Sequence, residues 1–157
     1  MKGSIVNIND NRQLKQFLQN NHNSVFSTFR KNGLVQLSIV TVGLWRNGIA
    51  FSTPGDTAKT GNLRRDPRCS ILVSADNWYP FVVFEGKAQV IDKKAANESG
   101  LDSYLREVYR SGSGKEHPNW NEFDQVMSIE RRVVIYLEPD RFYGPLIKMP
   151  SDFATNL

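Results

Sequence analysis

Along this chain, short β-branched and aromatic runs alternate with polar turns, and the rhythm breaks only where apolar spacing lengthens to three and four. "SVFSTF" (24–29), "LVQLSIVTVGLW" (34–45) and "IAFST" (49–53) read as three strands, joined by turns with Asn-Gly at 32–33 and 47–48. Tight turns join neighbours, so these three predict a meander. Further strands are expected over "RCSILVSA" (68–75), "FVVFEGKAQVI" (81–91) and "RRVVIYLEP" (131–139). Leu14, Phe17 and Leu18 share a helical face, with Asn9 or Asp10 as the expected N-cap. "AKTGNLRR" (58–65) predicts a short helix capped by Thr57 and stopped at Asp66, which precedes Pro67. One helix is expected over 93–112, where Leu101, Tyr104, Leu105, Val108 and Tyr109 recur, and another over 119–130. Six strands and a few helices predict a mainly β fold whose antiparallel sheet, too large to stay flat, closes into a small barrel.

Length and composition narrow this to one domain over 1–157, since 157 residues at 39% hydrophobic and 23% charged content can close a single core. No apolar run reaches membrane length, and "MKGSIVNINDNRQ" lacks the features of a signal peptide, so a cytoplasmic location is expected and no membrane partner. The formal charge of +4 suits an anionic ligand. It comes without a basic block, and the aromatics alternate into the expected core, which argues against nucleic acid as a partner. Cys69 is alone, and His22 and His117 have no ligand spacing around them, which argues against a metal centre.

Phe51 to Val73, "FSTPGDTAKTGNLRRDPRCSILV", is the stretch with chemistry in it. A strand ends, Pro54 and Gly55 turn the chain, and a helix begins. Its free N–H groups, the hydroxyls of Thr53, Thr57 and Thr60, and the ammonium of Lys59 could together hold a phosphate. The same residues also suit a plain strand-to-helix turn, with Lys59, Arg64, Arg65 and Arg68 as a solvated face. A nucleotide-hydrolysing P-loop is ruled out, because Thr53 and Ala58 stand where its glycines belong. No triad or carboxylate pair offers protein-based catalysis. Glu85 reads as an ion-paired barrel residue, Arg131 and Arg132 as charges at a helix C-terminus, and Cys69 as buried packing.

"FSTPGDTAK", "NLRRDPRCSILV", "FEGKAQV", "HPNW" and "RRVVIYLEPDRFYG", in that order, give the chain a further reading. Over roughly residues 14–145 it resembles the flavin-binding split-barrel proteins related to pyridoxamine 5'-phosphate oxidase, above all the deazaflavin-dependent oxidoreductases of the B class. The resemblance implies a six-stranded antiparallel split β-barrel of Greek-key type with two to four short helices, acting as a homodimer with its cofactor at the subunit interface. It implies that Lys59 reaches the cofactor phosphate, with Thr53 and Asn62 at polar positions of the same loop and helix, next to the Thr57 and Thr60 hydroxyls already singled out. Gln36 and Ser38 would face the ring, and Trp78 and Tyr79 would reach the pocket of the partner. Leu34 and Val35 replace the family's Arg-Pro, and Thr57 a basic residue, so both FMN and the deazaflavin coenzyme F420 stay open as cofactors. The implied activity is hydride transfer between that cofactor and a small conjugated or apolar acceptor, with a non-catalytic FMN carrier or sensor as the alternative. Oxidation of pyridoxamine phosphate itself is disfavoured, since the C-terminal segment offers only Arg141 and Lys148 for a substrate phosphate.

Overall fold

Among the described residues seven strands, one more than expected, pair antiparallel in a single sheet: β1 (Asn23–Phe29), β2 (Val35–Thr41), β3 (Gly43–Trp45), β4 (Gly48–Pro54), β5 (Arg68–Ser74), β6 (Phe81–Ile91) and β7 (Arg132–Tyr143). The computed structural model describes residues 7–148, the side chains of 98 and 99 excepted; the ends of the expected domain, 1–6 and 149–157, lie outside the described residues. The strand order is β2-β1-β5-β6-β7-β4-β3. The seventh strand arises because the run 34–45 breaks at Val42, which sends β2 to one edge of the sheet and β3 to the other. The meander is therefore corrected to two separate hairpins, β1–β2 and β3–β4, with β4 pairing across to β7.

That break dictates the curvature. Seven strands spaced about 4.8 Å apart would put the edges of a flat sheet roughly 29 Å from each other. Thr41 and Gly43 are two residues apart, so their Cα atoms are at most about 7 Å apart, and the sheet must curl until its edges approach. Val42 is fully buried at this junction, its N–H donating to the His22 carbonyl (3.0 Å) and its own carbonyl accepting from His22 Nδ1 (2.8 Å). The edges meet there without pairing along their length, which leaves a split barrel.

The described residues also form five α-helices, against the two to four helices expected: α1 (Arg12–Asn20), α2 (Ala58–Arg65), α3 (Lys93–Ala96), α4 (Glu98–Ser113) and α5 (Trp120–Ile129). The helix expected over 93–112 is interrupted at Asn97, whose φ of 56° ends α3 and whose side chain caps α4 by accepting from Gly100 N–H (2.8 Å). The first helix starts later than its pattern predicted. Asn11 caps it through Leu14 N–H (3.1 Å), in place of Asn9 or Asp10.

Packing forms two cores, one on each face of β7. Val133, Ile135 and Leu137 point into the barrel, where Phe26 and Phe51 meet edge-on at 5.0 Å and α1 plugs one end with Leu14, Phe17 and Leu18. Val134 and Tyr136 point outward into a second core with Leu101, Leu105 and Val108 of α4 and Phe123 of α5. This explains why β7 reads as a continuous apolar run and not an alternating one. Among the described residues no helix is long and apolar enough to cross a membrane, and no group of three or more His, Cys, Asp or Glu is placed to hold a metal.

Cys69 lies inside the barrel, and burial pushes its thiol up to about 12 from 9.0, although a backbone hydrogen bond at Ala88 acts in the opposite direction. A raised thiol value means that the folded state favours the protonated form below 9.0 and loses that preference as pH rises through about 12. Native Cys69 should thus react with iodoacetamide at mildly alkaline pH about tenfold or more slowly than the urea-unfolded chain. Equal rates, followed by mass spectrometry, would contradict a buried thiol.

Candidate functional site

The turn between β4 and α2 depends on Gly55. Its N–H donates to the Arg131 carbonyl (2.9 Å), and a Cβ at this position would stand 2.9 Å from the same oxygen. Only glycine lets the turn press against residues 131–132. The register pairs Pro54 with Arg132. Arg132 then spans the strands: its Nη1 donates to the carbonyl (3.3 Å) and hydroxyl (3.2 Å) of Ser52, while its Nε pairs with Glu130. Lys59, in the first turn of α2, comes to the same corner.

Ser52, Thr53, Lys59 and Arg132 line one end of a cavity of about 870 Å³. The cavity opens where β2, represented by Ile39 and Thr41, faces the end of β4 across the split. Burial first, and the neighbouring charge of Arg132 second, hold Lys59 below the ordinary lysine value of 10.5. Among the described residues no carboxylate pairs with Lys59. A lysine depressed in this way costs the folded state stability wherever it is charged, and the cost disappears as pH rises toward 10.5. Beside it the hydroxyls of Thr57 and Thr60 lie 2.9 Å apart, and both reach the Pro54 carbonyl, at 3.1 and 3.4 Å. Thr53 Oγ1 lies 3.5 Å from Thr57 Oγ1. Thr57 occupies the N-cap position of α2, yet its side chain makes no capping bond, so the first-turn N–H groups have no side-chain acceptor.

The opposite end of the cavity is aromatic. Gly43 allows α4 to lie against β3, where Ser111 Oγ donates to the Leu44 carbonyl. That contact holds the last turns of α4 over the split. α5 packs back on α4 through the Arg106–Asp124 pair, Arg110 over the Trp120 ring at 4.5 Å, and Tyr109 edge-on to Phe123 at 5.2 Å. Tyr109, His117 and Phe123 line this end, and Ile39, Val126 and Met127 give apolar flanks.

The expected site residues separate into groups. Thr53 and Lys59 line the cavity, with Thr57 and Thr60 in the hydroxyl cluster behind them. Gln36 and Ser38 sit on the inward face of β2, opposite Thr28 and Phe26, and Gln36 Oε1 accepts from Arg30 Nε (3.1 Å). Asn62 is buried and bridges α2 to β1, donating to Thr28 Oγ1 (3.1 Å) and accepting from Arg65 (3.0 Å). Trp78 and Tyr79 are exposed before the start of β6, while Thr53 lies toward its other end, so one chain does not bring them to the cavity. Glu85 faces Arg141 at 3.9 Å, as an ion-paired barrel residue should. Arg132, read from sequence as a helix-end charge, is corrected to a cavity residue. Ser52, Tyr109 and His117 were also unmarked for this site. Only the pairing of β4 with β7 and the fold-back of α5 bring these residues to it, and neither has a local sequence signal.

Residues 11–144 match the family model of pyridoxamine 5'-phosphate oxidase. Among solved structures, the chain is similar to the conserved hypothetical protein Rv2991 from Mycobacterium tuberculosis, with a TM-score of 0.71 at 20% identity over 89% of this chain and 88% of that one. It is also similar to a putative pyridoxamine 5'-phosphate oxidase from Listeria innocua (TM-score 0.56, 15% identity, 83% and 93% coverage). A third similar structure is an F420 reductase (TM-score 0.55, 17% identity, 82% and 94%). At these identities the structures support the shared fold alone. The family model covers most of the chain, and the protein belongs to the pyridoxamine 5'-phosphate oxidase family of split-barrel, flavin-binding proteins.

Proposed function

We propose that the protein binds a phosphate-bearing flavin-type cofactor, FMN or F420, in the 870 Å³ cavity and acts as an oxidoreductase on a small conjugated or apolar acceptor. The observation that carries this reading is Lys59, which is half-buried, has no ion-pair partner among the described residues and lies close enough to Arg132 to feel its charge. Two cations at one corner cost the empty protein stability, whereas a ligand phosphate turns the same arrangement into charge-assisted hydrogen bonds. The bound cofactor supplies the hydride chemistry. Lys59, Arg132 and Thr53 hold the phosphate, and Ile39, Val126 and Met127 flank the ring. Gln36 and Ser38, on the inward face of β2 and outside the cavity lining, are assigned to the ring by the family resemblance alone.

The assembly proposed with this site is a homodimer in the cytoplasm. Helices cover the outer face of β4 and β7, while the outer face of β2 stays bare, with Ile39 83% and Leu37 63% exposed. Val25 and Leu72 continue that apolar row across β1 and β5. A second copy is the occupant such a surface suits, and its Trp78 and Tyr79 would close the cavity from outside.

Substituting Lys59→Ala should weaken FMN or F420 binding by ~1.5–3 kcal/mol, on the order of tenfold to a hundredfold, in a fluorescence titration. Urea unfolding of the empty variant at pH 7 should show no loss of stability, and the two proteins should converge as pH is raised through the alkaline range. An unchanged affinity for both cofactors overturns the phosphate assignment. For the assembly, Leu37→Asp should shift sedimentation at micromolar concentration from dimer to monomer, and a wild-type chain that sediments as a monomer with cofactor present removes the shared-site reading.

A further inference from the structure

His117 lines the aromatic end of the cavity, and one of its two ring nitrogens is not used by the fold. His117 Nδ1 accepts the backbone N–H of Asn119 at 3.0 Å. A neutral imidazole that accepts at one nitrogen carries its proton on the other, so Nε2 is a donor. Among the described residues Nε2 has no acceptor. The ring orientation is held by Tyr109 at 5.4 Å, Phe123 at 5.3 Å and Trp120 at 5.8 Å between centroids. His117 therefore presents a fixed donor beside the rings of Tyr109 and Phe123, in a part of the lining that also includes Ser113 and Glu122.

We infer that His117 selects the acceptor, its Nε2–H recognising the carbonyl oxygen of a neutral, planar, conjugated compound bound between the aromatic residues and Ile39. The inference rests on the proposed oxidoreductase reading for the word acceptor, but the recognition itself does not depend on it. Three observations shape the ligand class. An apolar body suits Ile39, Val126, Met127 and the ring edges of Tyr109 and Phe123. A ligand that covers Nε2–H without accepting from it leaves a donor dehydrated and unpaired, which penalises hydrocarbons of the same shape. Glu122 lines this end while the cations Lys59 and Arg132 line the other, so a carboxylate group is disfavoured here and a neutral oxygen is preferred. The Nδ1 bond accounts for a structural role at the start of α5, where Asn119 already caps Glu122 N–H at 3.1 Å, but it gives no use for Nε2.

The test compares benzylideneacetone with its analogue carrying a methylene in place of the carbonyl oxygen. Binding is measured by calorimetry on the full chain, with and without saturating FMN. Wild type should prefer the ketone roughly fivefold to tenfold, the worth of one neutral hydrogen bond. His117→Phe keeps an aromatic ring and removes the donor, so the preference should vanish while hydrocarbon affinity changes by less than about twofold. His117→Gln, which restores an N–H, should recover part of it. In wild type the ketone, and not the analogue, should also shift the ¹⁵N resonance of His117 Nε2, a reading that needs no variant to fold. A ketone preference that survives in His117→Phe, or an Nε2 resonance that ignores the ketone, overturns the inference. If FMN and F420 both fail to bind while the ketone preference and its loss in His117→Phe remain, the oxidoreductase reading falls and the recognition stands.

Discussion

A single residue, Val42, joins the two edge strands of a seven-stranded sheet, and the remaining structure accommodates that short link. With β2 and β3 on opposite edges and no length of chain between them, a flat sheet is geometrically impossible. Curling encloses Phe26, Phe51, Phe84 and Leu137 as a barrel core. It also fixes where the barrel cannot close, because strands that diverge from one buried point leave their backbones unpaired beyond it. The cavity lies along that seam. Strand ends of β2 and β4 that a fully paired barrel would have joined form one side of it, and α4 and α5 form the other.

The charge at the seam follows from a second close approach. Gly55 lets the β4–α2 turn reach the Arg131 carbonyl, and Arg132 one residue later ties β7 to Ser52. Arg132 is partly balanced by Glu130, whereas Lys59 has no such partner among the described residues. Folding alone would select against this corner, since burial and like charge both act on the lysine in the same unfavourable direction. A sequence that keeps it is accepting a local cost, and local conflicts with folding rules concentrate at functional positions.

Much of this was legible from the residues. Most of the elements carry their own signals: α2 from Thr57 to the Asp66–Pro67 stop, α5 behind Asn119, and the strands from β-branched runs. The break at Val42 was not legible, because a buried valine inside "SIVTVGLW" continues a strand pattern by every local criterion and bends only when His22 takes both of its backbone groups. Lys59 and Thr53 could be found since they lie in one stretch with the turn that positions them. Arg132 and His117 could not. Arg132 reaches the cavity through the register of two distant strands, Pro54 with Arg132, and His117 through the fold-back between α4 and α5 that sets its ring on Tyr109.

The two faces of the sheet explain why the site is open. On β7 both faces are buried from Val133 to Leu137, one by the barrel and one by α4 and α5. On β2 only the inward face is covered, and Ile39, a residue that lines the cavity, has 83% of its surface in water. Water at that distance screens the field of Lys59 and Arg132, and weakens every hydrogen bond made at the seam. Covering the outer face of β2 would therefore act twice, burying Leu37 and Ile39 for their apolar area and lowering the dielectric around the cation corner. If the proposed second copy packs on β2 and the proposed phosphate sits at Lys59, assembly and anion binding become one energetic problem: covering β2 would strengthen the grip of Lys59 on its ligand.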